Sequence, residues 1–145
     1  STHSGEVSFP GGKADKTDPS LFGTALRESN EEISLNSDNV TELGKLDYLI
    51  SRHKIEVNPF VASVDQPQAF KPNEEIQEIF TVPLDFLLDS KNIQREVIDR
   101  QGSVLQIPTW SIKNQKIWGL TAMITVNFLN VCFDANIEIL EGKSK

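Results

Sequence analysis

Cysteine is nearly absent: Cys132 is the only one in the chain. A lone cysteine excludes an intramolecular disulfide and any cysteine-built zinc cluster, and it suits a reducing or redox-neutral compartment. Positive charge is also scarce. Fourteen Lys and Arg face 21 Asp and Glu, for a net charge of −7. Such a chain lacks the basic footprint of a phosphate-backbone binder, so no nucleic-acid partner is expected. Long apolar runs are missing as well. None approaches the roughly 18 residues of a membrane span, so no membrane partner is expected either. The sequence has no internal repeat, low-complexity tract or linker to a second domain. Its 145 residues, 38% hydrophobic and 24% charged, read as one globular domain over 1–145. An acidic protein that acts on an anionic substrate needs local neutralisation, which bound metal and a few Lys and Arg would supply.

What is present is concentrated between Phe9-Pro10-Gly11-Gly12-Lys13 and Arg27-Glu28-Ser29-Asn30-Glu31-Glu32-Ile33. A helix is expected from about Pro19 to Ile33. Residues three and four apart share a helix face. Glu28 therefore stands beside Glu31 and Glu32, and Arg27 beside Glu31, while Leu21, Phe22, Ala25, Leu26 and Ile33 form an apolar stripe. Three neighbouring carboxylates repel one another unless something neutralises them. A hard divalent cation does so, and it binds substrate phosphate oxygens too. The rival reading is a solvated acidic face. Gly11-Gly12 allows positive φ or close approach of backbone to a ligand. Gly23 inside the helix points to close packing or an early irregularity.

The stretch resembles the Nudix box, G-x5-E-x7-R-E-U-x-E-E-x-G-U, with U apolar or small. Arg27-Glu28-Ser29-Asn30-Glu31-Glu32 matches its core, and Leu35 supplies the late apolar residue. Three departures stand out: Asp18 for the upstream Glu, one residue further from Arg27; Ser34 for the late Gly; and polar Ser29 at a U position. Asp18-Pro19-Ser20 reads rather as an N-cap followed by Pro at the first helical position, the alternative being the motif Glu's role. The flanks His3-Ser4-Gly5-Glu6-Val7-Ser8-Phe9-Pro10-Gly11-Gly12, Thr24-Ala25-Leu26-Arg27-Glu28, Asn73-Glu74-Glu75-Ile76 with Phe80-Thr81-Val82-Pro83-Leu84, and Ile117-Trp118-Gly119-Leu120-Thr121-Ala122 are similar to the coenzyme A diphosphatase branch, nearest its yeast peroxisomal type.

The resemblance implies an α/β (α+β) fold, a mixed β-sheet sandwiched between helices. It also implies that this chain is truncated, lacking N-terminal strands. The implied activity is metal-dependent hydrolysis of the diphosphate of coenzyme A or its acyl and oxidised forms, to 3′,5′-ADP and 4′-phosphopantetheine. Other Nudix substrates, an oxidised nucleoside triphosphate or ADP-ribose, are the alternative within the family. A non-catalytic binding domain is the alternative outside it. Mg2+ or Mn2+ is expected on Glu28, Glu31 and Glu32, with the Gly12 carbonyl helping. Glu28 or Glu75 would be the base, with Glu74 and Glu78 as alternatives to Glu75, and Arg27 would orient Glu31. The location implied is peroxisomal, although Ser144-Lys145 lacks the Leu of a complete address.

Elsewhere the pattern predicts a short strand over 4–9, strands over 43–50 and 55–64, and a short helix over 83–89. The second long strand is expected to be covered on both faces and irregular at Pro59. The Arg52-His53-Lys54 turn is read as an ordinary basic turn before a phosphate contact. The short helix should turn Leu84, Leu87 and Leu88 inward. A hairpin is expected about Gln101-Gly102-Ser103. A last helix over 120–133 should bury Leu120, Ile124, Phe128 and Val131. Trp118 is read as a packing residue before an adenine stack.

Overall fold

The computed structural model describes residues 5–65, 68–100 and 102–143. His3, Ser4, Gln101 and the Ser144-Lys145 tail, all named above, lie outside them. The chain falls into two compact units, Ser1–Thr81 and Val82–Lys145.

The first unit is built on α1 (Leu21–Ile33), followed by β1 (Val40–Lys45), β2 (Leu49–Ile50), β3 (Glu56–Val57) and β4 (Phe60–Val64). β1 pairs with β4 and β2 with β3, both antiparallel. The two long strands expected over 43–50 and 55–64 are thus four shorter ones. Pro59 has no N–H to give to a ladder, and the run breaks there between β3 and β4. Its carbonyl still accepts from the Leu46 N–H at 2.9 Å. The register also shifts between Glu42 and Gly44, and Leu43 is left exposed. Full cover on both faces is not found, since Ile55 and Val64 are also exposed. Residues 5–9 form no strand. The 51–54 turn is as expected, closed by Ser51 N–H to Ile55 O at 2.9 Å, with Lys54 at φ 60°. α1 packs on β4 through an edge-to-face pair, Phe22 on Phe60, with ring centroids 5.5 Å apart.

A Cβ built on Gly23 would lie 3.0 Å from both Cδ and Cγ of the Pro19 ring. The glycine is there for close packing. Ala ordinarily gains up to about 1 kcal/mol over Gly inside a helix. Gly23→Ala is expected to show none of that gain, because the rigid ring must shift; the urea midpoint checks it.

The second unit contains α2 (Leu84–Leu88), β5 (Gln94–Arg100), β6 (Ser103–Ile112), β7 (Gln115–Ile117), α3 (Gly119–Phe133) and β8 (Leu140–Lys143). β6 is the hub, pairing antiparallel with β5, β7 and β8. All strand pairs among the described residues are antiparallel. The β5–β6 hairpin falls where expected, with Gly102 at φ 82°. Lys113 and Asn114, both left-handed, make the two-residue turn into β7. The core gathers Leu87, Ile107, Trp110, Ile117, Ala122, Val126 and Leu129. The Trp110 indole N–H donates to Leu87 O at 3.1 Å and pins α2. Of the three leucines expected inward on α2, only Leu87 is buried; Leu84 and Leu88 are exposed.

α3 occupies the expected residues but buries a different stripe: Ala122, Thr125, Val126 and Leu129. Val131 is 66% exposed. The helix is apolar nearly all round, so periodicity could set its existence but not its phase.

Candidate active site

α1 begins two residues later than its cap signal suggested. The N-cap is Ser20, whose Oγ accepts from the Gly23 N–H at 3.0 Å. Asp18 is therefore not the cap. It is the anchor of Arg27. Asp18 Oδ1 accepts from Arg27 Nε at 2.8 Å, and Oδ2 accepts from Arg27 Nη2 at 3.0 Å. Oδ2 also accepts from Thr24 Oγ1 and from the Asp15 N–H, each at 2.8 Å. A fork on a carboxylate fixes both position and plane of the guanidinium. The Arg27 hydrogen bonds, then those from Asp15 and Thr24, hold the Asp18 carboxyl well below its ordinary value. Asp18 in turn raises Arg27 above its own.

Arg27 is thereby aimed along the acidic face. Nη1 donates to Glu28 Oε1 at 3.1 Å and to Glu31 Oε1 at 3.4 Å, while Nη2 donates to Lys13 O at 3.2 Å. The expected Arg27–Glu31 pair exists but is the longest of these contacts. The Gly11-Gly12 loop closes on the same face. Gly11 N–H donates to Glu32 Oε1 at 2.8 Å. A Cβ on Gly12 would stand 2.5 Å from Glu28 Cδ. Neither glycine has positive φ. Of the two uses foreseen for them, close approach is the one found, at Gly12, and the surface it approaches is Glu28.

Glu32 is raised above its ordinary value, first by burial, then by the charges of Glu28, Glu75 and Glu31, with the Gly11 N–H acting in the other direction. The Glu75 charge therefore acts on Glu32, although the Glu75 side chain is exposed. Glu74 and Glu78 are exposed as well, and neither is among the charges that act most on Glu32. At the helix end Ser34 adopts the left-handed cap at φ 60°, its N–H on Asn30 O and the Leu35 N–H on Ser29 O. Ser here does the work of the motif Gly. Ser29, polar at an apolar position, is buried. In the basic turn at 51–54, Arg52 stands 4.0 Å from the Glu6 carboxylate, upstream of the glycine loop.

The donor chemistry fits a hard divalent cation, because every candidate ligand is an oxygen and Glu32 sits among like charges. As they stand, Glu28 and Glu31 accept from Arg27 and Glu32 accepts from the Gly11 N–H. Among the described residues no three His, Cys, Asp or Glu form a group placed to hold a metal ion.

Asp18 gives a pH prediction. Its folded-state value is depressed, so its stabilisation is present at neutral pH and is lost as pH falls through and below about 3.8. Asp18→Asn should lower the urea midpoint at pH 7 and flatten its acid-side slope, and it should reduce turnover by releasing Arg27.

A glycine loop pressed onto an acidic, arginine-braced helix is the site of this α/β chain: carboxylates gathered about one guanidinium. The chain belongs to the Nudix family; the NUDIX domain matches residues 1–101. It is 40% identical over 123 residues to the "uncharacterized Nudix hydrolase NudL" of Pectobacterium atrosepticum, covering 84% of this chain and 64% of that protein. It is 42% identical over 123 residues to proteins of the same description from Yersinia pestis and Yersinia pseudotuberculosis, covering 84% of this chain and 62% of each. The chain spans less than two thirds of the length of these curated relatives.

Proposed function

We propose that this chain is a metal-dependent Nudix pyrophosphohydrolase, and that its substrate is coenzyme A or an acyl or oxidised derivative. The observation that carries the hydrolase reading is the docking of Gly11 and Gly12 on Glu32 and Glu28 of α1, with Arg27 braced by Asp18. Support for coenzyme A comes from the flanking segments, 3–12 and 73–84 above all, and the peroxisomal address is an extension of the same resemblance. Glu28, Glu31 and Glu32, with the Gly12 carbonyl, would hold Mg2+ or Mn2+. A bound divalent cation supplies polarised phosphoryl oxygens and water of lowered pKa. The chain's own groups do the rest. Arg27 keeps Glu28 and Glu31 in place, and Glu28 or Glu75 takes the proton of the attacking water. The water oxygen bonds to phosphorus as the bridging P–O bond breaks, giving 3′,5′-ADP and 4′-phosphopantetheine.

A second reading is a metal-free binding domain. It is favoured by the bonds that already tie Glu28, Glu31 and Glu32 to protein partners. The test is a panel of coenzyme A, acetyl-coenzyme A, ADP-ribose and an oxidised nucleoside triphosphate, with Mg2+ and with EDTA. Cleavage of the coenzyme A compounds only with Mg2+ is expected. Cleavage of ADP-ribose or the triphosphate instead moves the substrate and keeps the hydrolase. No cleavage with either ion condition supports the binding domain.

A further inference from the structure

The segment over 71–73 is stapled to the C-terminal end of α1. Lys71 N–H donates to Ile33 O at 3.1 Å and Asn73 N–H to Glu32 O at 3.0 Å. Ser34 Oγ donates back to Lys71 O at 3.3 Å. Asn73 then turns the chain. Its Oδ1 accepts from the Glu75 N–H at 2.9 Å and the Ile76 N–H at 3.2 Å, and Asn73 O accepts from Ile76 N–H at 3.3 Å. An Asn side chain that binds the backbone two and three residues on closes a turn and fixes its direction.

We infer that Asn73 and Ser34 are positioning residues that fix Glu75 beside the acidic face of α1: Asn73 sets the turn that carries Glu75, and Ser34 ties that turn's base to the helix end. The inference rests on the hydrolase reading and deepens it. One end of the staple is the main chain of Glu32 itself, so any movement of α1's last turn is transmitted to Glu75. Ser34 replaces a glycine that would suit the left-handed φ better, but glycine has no hydroxyl for Lys71 O. Asn73 has a side-chain acceptor that Ala lacks and Asp retains. A helix end and a loop some forty residues on are thereby built as one rigid ligand frame, the kind of outer support on which carboxylate placement depends.

The experiment combines kinetics with amide exchange on this chain. Asn73→Ala should lower kcat about 10-fold or more with little change in KM, the usual scale for loss of outer-shell support. Asn73→Asp should restore most of it. Asn73→Ala should cost nothing further in a Glu75→Gln background, because it acts through Glu75. In the metal-free protein, amides 75 and 76 should exchange faster in Asn73→Ala, and Ser34→Gly should speed exchange at 71 and 73 despite its better cap. Wild-type kcat in Asn73→Ala, full additivity with Glu75→Gln, or unchanged exchange at 75 and 76 overturns the inference alone. A wild-type chain inert on every diphosphate overturns the hydrolase reading and this role with it.

Discussion

Glu32→Gln is expected to remove nearly all metal-dependent turnover while leaving the metal-free protein as stable as before or more so. Loss of one preorganised electrostatic group costs about 10²–10³-fold in kcat, and Glu31→Gln should fall in the same range. The stability half of the expectation follows from the sign of the Glu32 shift. Burial, then Glu28, Glu75 and Glu31, raise its folded-state value above 4.5. The folded state thus holds the Glu32 proton more tightly than the unfolded one, and this group's contribution to stability falls as pH rises through that range. A Gln removes the unfavourable charge and still offers an oxygen to the Gly11 N–H. The urea midpoint of Glu32→Gln should equal or exceed wild type at pH 7 without metal, and the gap should close below about pH 4. A midpoint far below wild type would mean that Glu32 is structural.

Gly12→Ala is the second large effect. The added methyl would stand 2.5 Å from Glu28 Cδ and 2.7 and 2.8 Å from its oxygens. Real Cβ atoms do not tolerate such distances, so either the Glu28 carboxylate or the loop must move. A displacement near 1 Å in a positioned group costs about 10²-fold in rate. Gly11→Ala is the contrast, since a Cβ there meets nothing within 4 Å and the N–H on Glu32 is kept. It should lose far less. Single-turnover rates at saturating Mg2+ for the pair decide it. Equal rates in the two would remove Glu28 from the site.

The acidic face was legible because helical spacing alone puts 28, 31 and 32 together, and the motif core is contiguous. Arg27's orientation was not. Its anchor lies nine residues upstream in a loop, and Asp18-Pro19-Ser20 carries a cap signal that belongs to Ser20 instead. Asp18's real role depends on the turn at Asp15 and on the buried Thr24, neither of which has a sequence signature. In the strands, Pro59 marked the right place, but its consequence was division into separate pairs rather than one irregular strand. β8 went unread because four residues with a glycine make no alternating run; its partner β6 lies about forty residues earlier. The inward stripe of α3 failed for the opposite reason, an excess of apolar residues with no contrast between faces.

The central claim is that the acidic face of α1 is a divalent-cation site. Thermal unfolding of the wild type in millimolar Mg2+ and in EDTA tests it most directly, with Glu31→Gln and Glu32→Gln alongside. A cation that binds only the folded state raises Tm by mass action, by a few degrees at concentrations well above Kd. The account predicts that rise in the wild type and its loss in both variants. An unchanged wild-type Tm, or the same rise in all three proteins, would contradict it.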